Sequence, residues 1–195
     1  DHVNLDLSSG ESLLIRGASG CGKSTLIKAL AGIWPYTKGQ VRYLNEAKVL
    51  FLSQKPYLPQ GSLRLAASYP SAPIEDGRTE QFFKLVGLEH LIPHLDEVDT
   101  WSHILSLGEQ QRVAIVRALL NQPDMLFLDE ASSAMDEQSE SLVYDLLNQY
   151  LPHCIVISVG HRSTLIAKHK LVLTYQNDAK YTIEPSNEDS IKLSL

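Results

Sequence analysis

The chain has 195 residues and a formal net charge of −6, from 17 basic and 23 acidic side chains. Hydrophobic residues make up 44% and charged residues 21%, which excludes a disordered chain and leaves apolar material for one domain with a sizeable core. The acidic balance argues against nucleic acid as the main partner, and no apolar run approaches the roughly 20 residues of a membrane helix.

In chain order, the first apolar run, 12–15, reads as a buried strand. Gly17-Ala18-Ser19-Gly20-Cys21-Gly22-Lys23-Ser24-Thr25 follows it and opens a helical pattern over 23–31. A second strand is expected at 49–52 and ends near Gln54. The segment 56–105 opens on a proline-rich turn, turns helical at 80–86 and carries no strand pattern, so it reads as a small helical insertion. A helix at 109–120 stops before Pro123, a strand at 125–128 runs into Asp129-Glu130, and a helix at 139–150 ends near Pro152. Strands at 155–158 and 171–174 complete the pattern, and the polar stretch 176–195 adds one strand around 181–183. Strands alternating with helices predict an α/β domain with a largely parallel sheet. Cys21 and Cys154 form no paired spacing, so neither a disulfide framework nor a zinc site is expected, and a reducing compartment is the simplest reading.

The glycine-rich stretch matches G-x-x-x-x-G-K-[ST] in the strand-to-helix context that this motif requires. Its glycines let backbone N–H groups turn inward around phosphate oxygens, and the helix start adds a positive dipole end. Lys23 can reach the β- and γ-phosphates, and the Ser24 hydroxyl can ligate Mg2+. Cys21 fills a variable slot. At the end of the 125–128 strand, Asp129 can hold Mg2+ and Glu130 can polarise a water for in-line attack; the competing reading is that the two acids cap the next helix. His90 and His94 have helical spacing for a metal, but Pro93 between them and the lack of a completing carboxylate favour a solvated surface.

Between the phosphate motif and Asp129 runs Leu105-Ser106-Leu107-Gly108-Glu109-Gln110-Gln111-Arg112. Taken alone, Ser106 is an N-cap and Gly108 a turn residue. In this position the run resembles the signature motif of ATP-binding cassette (ABC) proteins, written L-S-G-G-Q, with Leu107 in place of a glycine and Glu109 in place of Gln. Other pieces fall in the family's order. Gln54 resembles the Q-loop glutamine, Ser132-Ser133-Ala134-Met135-Asp136 the D-loop, and His161 the switch histidine. With Gln54-Lys55-Pro56-Tyr57-Leu58-Pro59 and Ser158-Val159-Gly160-His161-Arg162-Ser163, the chain is similar to bacterial relatives of the peroxisomal fatty-acyl (subfamily D) and peptide- or cobalamin-uptake transporters.

The resemblance implies a P-loop (RecA-like) ATPase core at 1–55 and 106–195 with a helical subdomain at 56–105, the N-terminal β-subdomain being cut short. It implies ATP and Mg2+ as ligands, held by Gly17, Ser19, Gly20, Cys21, Gly22, Lys23, Ser24 and Thr25. The metal ligands would be Ser24, Gln54 and Asp129, and the catalytic residues Glu130, His161 and Gln54. Two cassettes would pack head-to-tail, with Ser106 and Gly108 meeting the partner's ATP. A permease domain, fused N-terminally, would place the domain at the cytoplasmic face of a membrane, and the semi-apolar Tyr57, Leu58 and Pro59 would line the groove that receives its coupling helix, the competing reading being a packed turn. Only 16 residues precede Gly17, so the chain is expected to begin past the adenine-stacking aromatic, for which neither Asp1 nor His2 is an evident replacement. A non-transport ABC ATPase of DNA repair or translation and a small-molecule kinase are the competing functions; the first lacks its coiled coil or zinc-spacing cysteines here, and the second would leave Ser106, Gly108 and His161 unexplained.

Overall fold

The computed structural model describes residues 3–36, 39–43, 46–176 and 180–186. In chain order the elements are β1 (Ser12–Arg16), α1 (Lys23–Leu30), β2 (Val49–Ser53), β3 (Gly61–Ser62), α2 (Leu63–Ser68), α3 (Arg78–Leu85), a 3-10 turn at Glu89–His94, β4 (Val98–Asp99), α4 (Trp101–Ile104), α5 (Leu107–Asn121), β5 (Met125–Asp129), α6 (Glu137–Tyr150), β6 (Ile155–Val159), a 3-10 turn at Ser163–Lys168, β7 (Leu171–Tyr175) and β8 (Tyr181–Pro185). They fall into two compact units, one from the described parts of 1–51, 123–130 and 152–195, the other from 52–122 and 131–151.

The first unit is built on a sheet of order β2-β5-β6-β1-β7-β8. The pairs β1–β6, β1–β7 and β5–β6 are parallel, and β8 closes the edge antiparallel to β7. The expected mostly parallel α/β sheet is present. Leu13, Leu14 and Ile15 are all fully buried, so β1 is covered on both faces, which is why its sequence reads as a continuous apolar run. Leu13, Ile15, Phe127, Ile157, Val159 and Leu173 share a core with Ile27 of α1. His169, at the entry to β7, is buried between the Leu165 carbonyl and Ser158 Oγ, each 2.8 Å from a ring nitrogen. Burial pushes its pKa down to about 4, so it stays neutral. Nδ1 faces a carbonyl and must donate, which leaves Nε2 to accept from Ser158.

In the second unit α5 packs on α2, α3 and α6. Two buried polar side chains of α5 bind the 57–71 stretch. Arg117 donates to the carbonyls of Ala66 and Tyr57 and lies 5.4 Å from the Tyr69 ring centre. Asn121 donates to the carbonyls of Ser68 and Tyr69 and accepts from Ser71 Oγ. Burial draws the Arg117 pKa down to about 10, still well above neutrality. The 56–105 segment holds more structure than its sequence pattern suggests. β3 and β4 pair antiparallel, where no strand was expected, and α2 precedes the expected helix. Two-residue strands carry no period for a sequence reading to detect. Compactness also groups α5 and α6 with this segment.

Among the described residues no helix is long and apolar enough to cross a membrane. Cys21 and Cys154 are free thiols, and burial pushes Cys154 up to about 12. Asp1, His2 and the tail 187–195 lie outside the described residues.

Candidate functional site

In the first unit, β1, β5 and β6 end side by side, with Ile15 and Asp129 both paired to Val159. Ligands of parallel α/β sheets bind at this carboxyl edge. Three segments leave it: the Gly17–Thr25 loop after β1, Glu130 after β5, and Gly160-His161 after β6.

The loop has the backbone of an anion cradle. Gly20 and Gly22 take φ of 78° and 99°, and a Cβ built on either would meet nothing within 4 Å. Backbone conformation, not lack of room, therefore demands these two glycines. At Gly17, φ 149°, space adds to the backbone demand, since a Cβ there would lie 2.8 Å from Tyr175 Cβ and 2.9 Å from Cys21 Sγ. The cap of α1 is Gly22, so no side chain caps the helix, and its first turn has no acidic residue. An uncapped helix start behind a glycine cradle suits an anion. Lys23 is only 5% exposed, and its ammonium donates to the carbonyls of Gly17 at 3.0 Å and Ala18 at 2.7 Å.

Ser24 Oγ donates to Asp129 Oδ1 at 2.9 Å, joining α1 to the end of β5 across 105 residues. A hydroxyl and a carboxylate in contact are the hard oxygen donors that Mg2+ takes. Glu130 follows in the left-handed region, φ 54°, an uncommon and strained setting for a residue with a Cβ. Its N–H donates to the Val159 carbonyl at 3.2 Å, and its Oε1 lies 3.0 Å from His161 Nε2. Neither acid caps a helix. The cap of α6 is Asp136, whose carboxylate accepts from Ser139 N at 2.8 Å and is held below its ordinary range by the Ser139 hydrogen bonds.

The second unit carries Gln54, Ser106 and Gly108. Ser106 caps α5 in a full capping box with Glu109. A Cβ on Gly108 would lie 3.0 Å from the Ala134 carbonyl oxygen, so close backbone approach explains this glycine. Leu107, in the place of the missing signature glycine, is 38% exposed. Gln111 escaped the sequence reading. It is fully buried, donates to the Gln54 carbonyl at 2.7 Å and to Ser133 Oγ at 3.3 Å, and accepts from Ala134 N at 2.9 Å. Its only signal was a second glutamine after the signature. Gln110 donates to the carbonyls of Ser102 and Leu105, which fixes the entry to the signature turn. His90 and His94 bind separate carboxylates, Glu109 at 3.0 Å and Glu97 at 2.9 Å, and no metal-ligand cluster occurs among the described residues. Tyr57 is 64% exposed but Leu58 only 8%, so of the two only the tyrosine offers a surface.

The residue pattern of the family described as ABC transporter matches residues 1–133. The chain belongs to the ABC transporter family. An ABC transporter ATP-binding protein of Haemophilus influenzae is 45% identical over 184 residues, which cover 93% of this chain and 31% of that protein. The human lysosomal cobalamin transporter is 39% identical over 186 residues, covering 88% and 30%. The chloroplastic ABC transporter D family member 2 of Arabidopsis thaliana is 34% identical over 222 residues, covering 88% and 31%. Subfamily D is thus among the relatives. This ABC transporter chain spans about three-tenths of the length of these proteins. A bacterial Atm1-family ABC exporter, solved with ATP bound, superposes with a TM-score of 0.79 at 24% identity, over 95% of this chain and 35% of that one, and shares the fold.

Proposed function

We propose that the chain is the ATP-hydrolysing domain of a membrane transporter. The observation that carries this is the convergence, at one carboxyl edge of a parallel sheet, of the glycine cradle, buried Lys23, the Ser24–Asp129 contact and the Glu130–His161 contact.

Lys23 exchanges the Gly17 and Ala18 carbonyls for phosphate oxygens, a short movement because its ammonium already lies over the loop. The amides of Gly20 to Thr25 and the α1 dipole receive the remaining negative charge. Ser24 and Asp129 fit Mg2+, which supplies charge neutralisation on the transferring phosphoryl group. Glu130 takes the proton of a water, and His161 holds the Glu130 carboxylate in the geometry for that transfer. Gln54 is proposed as a further metal ligand, and Ser106 and Gly108 as donors to the ATP of a second copy. The core at 1–55 and 106–195 and the helical subdomain at 56–105 are the proposed functional division. A permease domain at the cytoplasmic face of a membrane is the proposed partner, and Tyr57 the residue offered to it.

The direct test is to measure MgATP binding and phosphate release on the same preparation. Binding with turnover that depends on Glu130 supports the reading. Transfer of phosphate to a metabolite, or no nucleotide binding at all, overturns it.

A further inference from the structure

Glu109 stands where the signature motif of the family carries glutamine, and its carboxylate is occupied on both oxygens. Oε2 accepts from Ser106 N at 2.9 Å and from Ser106 Oγ at 2.8 Å, while Glu109 N donates back to Ser106 Oγ at 3.3 Å. Helix capping needs no more than these. Oε1 takes a further contact, His90 Nε2 at 3.0 Å, from the Glu89–His94 turn 19 residues upstream. A carboxylate only accepts, so Nε2 carries a proton in either charge state of the ring. About half of the His90 side chain is exposed, whereas Glu109 is mostly covered. Burial works against the Glu109 charge, and the hydrogen bonds from Ser106 and His90 outweigh it, holding the carboxyl below its ordinary range.

In this arrangement the Ser106 hydroxyl proton points at Glu109. We propose that His90 is a positioning residue for the signature serine: its charge sets how tightly Glu109 holds the Ser106 hydroxyl, and so how readily that hydroxyl is released to a phosphate presented by a second copy of the chain. This rests on the reading of Ser106 and Gly108 as phosphate donors. Two effects act in the same direction. A protonated His90 draws on the carboxylate and weakens its hold on the hydroxyl. It also offsets the negative charge that Glu109 sets beside an incoming anion. Other ionisable groups on the surrounding elements are engaged or remain common to every variant. Arg112 is bound to the carbonyls of Gly108, Val86 and Gly87, and His94 to Glu97. On α3, Glu80 is paired with Arg64 and Arg78 with Asp76, while Lys84 on α3, Glu89 beside His90 and His103 on α4 are unchanged in every variant.

The test has a readout without nucleotide and one with it. In the chain alone, the Ser106 amide resonance is followed by NMR from about pH 6 to about pH 8, the range in which histidine titrates. It should move with His90 protonation, and this movement should vanish in His90→Gln, which keeps a donor and loses the titration. In a Glu130→Gln background, the MgATP concentration for half-maximal association should rise about two- to fivefold over the same range, the worth of one partly exposed ion pair. The rise should be absent in His90→Gln and in Glu109→Gln, with Glu109→Gln associating at least as well as the parent at low pH. A Ser106 amide indifferent to His90→Gln overturns the proposal. So does an association whose pH dependence survives both substitutions. If no variant associates with MgATP, the reading of the signature serine fails and the proposal falls with it, whatever the resonance shows.

Discussion

Glu130 Oε1 and His161 Nε2 lie 3.0 Å apart, although 31 residues separate them in sequence. The contact forms because β5 and β6 are parallel neighbours in exact step, Asp129 opposite Val159, so the residues that leave the two strands emerge together. The left-handed backbone of Glu130 turns the chain at this point.

Glu130→Gln should lower steady-state phosphate release by about two to four orders of magnitude, the usual worth of a general base. Nucleotide binding should persist, since the glutamine keeps the size of the side chain and the cradle is untouched. Fluorescent-nucleotide titration beside a phosphate-release assay checks both halves. Turnover equal to the parent would remove Glu130 from its role.

Lys23→Ala should fail at the earlier step. The ammonium is buried over the loop, on the carbonyls of Gly17 and Ala18. Nucleotide affinity should drop by at least about tenfold, the scale of one charge-assisted hydrogen bond. Tight binding by this variant, measured by calorimetry, would sink the phosphate-loop reading.

His169 predicts a pH dependence of stability. Its folded-state pKa lies near 4, below the ordinary 6.5, so the unfolded chain binds the proton more readily. The contribution is fully present above about pH 6.5, is lost as pH falls towards 4 and levels off below that, at most about 3 kcal/mol in total. Urea unfolding at steps of pH should show the slope, and His169→Gln should flatten it while lowering stability at neutral pH.

Gln111→Ala should destabilise by about 1–3 kcal/mol, because it strips partners from the Ala134 amide and the Gln54 carbonyl in a buried setting. Denaturant midpoints measure this. An unchanged midpoint would mean that water takes over the bonds.

Gly17→Ala should cost more than Gly20→Ala. At Gly17, beyond the cost of its positive φ, the new methyl runs into Tyr175 and Cys21, so thermal stability should fall by a further overpacking cost of about 1–3 kcal/mol. At Gly20 there is room, and the cost is only that of a left-handed alanine, about 1 kcal/mol. Melting curves of the two variants should separate these causes.

Much of this was legible in the sequence. The strands that end in Ser24's loop, in Asp129 and in His161 are apolar runs followed by polar residues, and both signals are local. Gln111 was not legible, because its role comes from two backbone segments that lie far from it in the chain. The same holds for His90: a lone histidine four positions from another suggests a metal pair, and only tertiary packing brings Glu109 to it instead. The short strands Gly61–Ser62 and Val98–Asp99 were missed because pairing, not composition, defines them. The left-handed turn at Glu130 was hidden for a related reason: nothing in a glutamate announces a positive φ.

Gln111 holds the carbonyl of Gln54 with one end of its amide and the N–H of Ala134 with the other, while Gly108 leaves the Ala134 carbonyl only enough room to pass. A side chain gripping two loops through their backbones transmits displacement without regard to what side chains those loops carry. Residue 54 therefore cannot shift far while residue 134 stays behind, and a push on either is delivered through Gln111 to the second turn of α5 as a mechanical load. The stiffness of that linkage can be read as slow hydrogen exchange at the Ala134 amide.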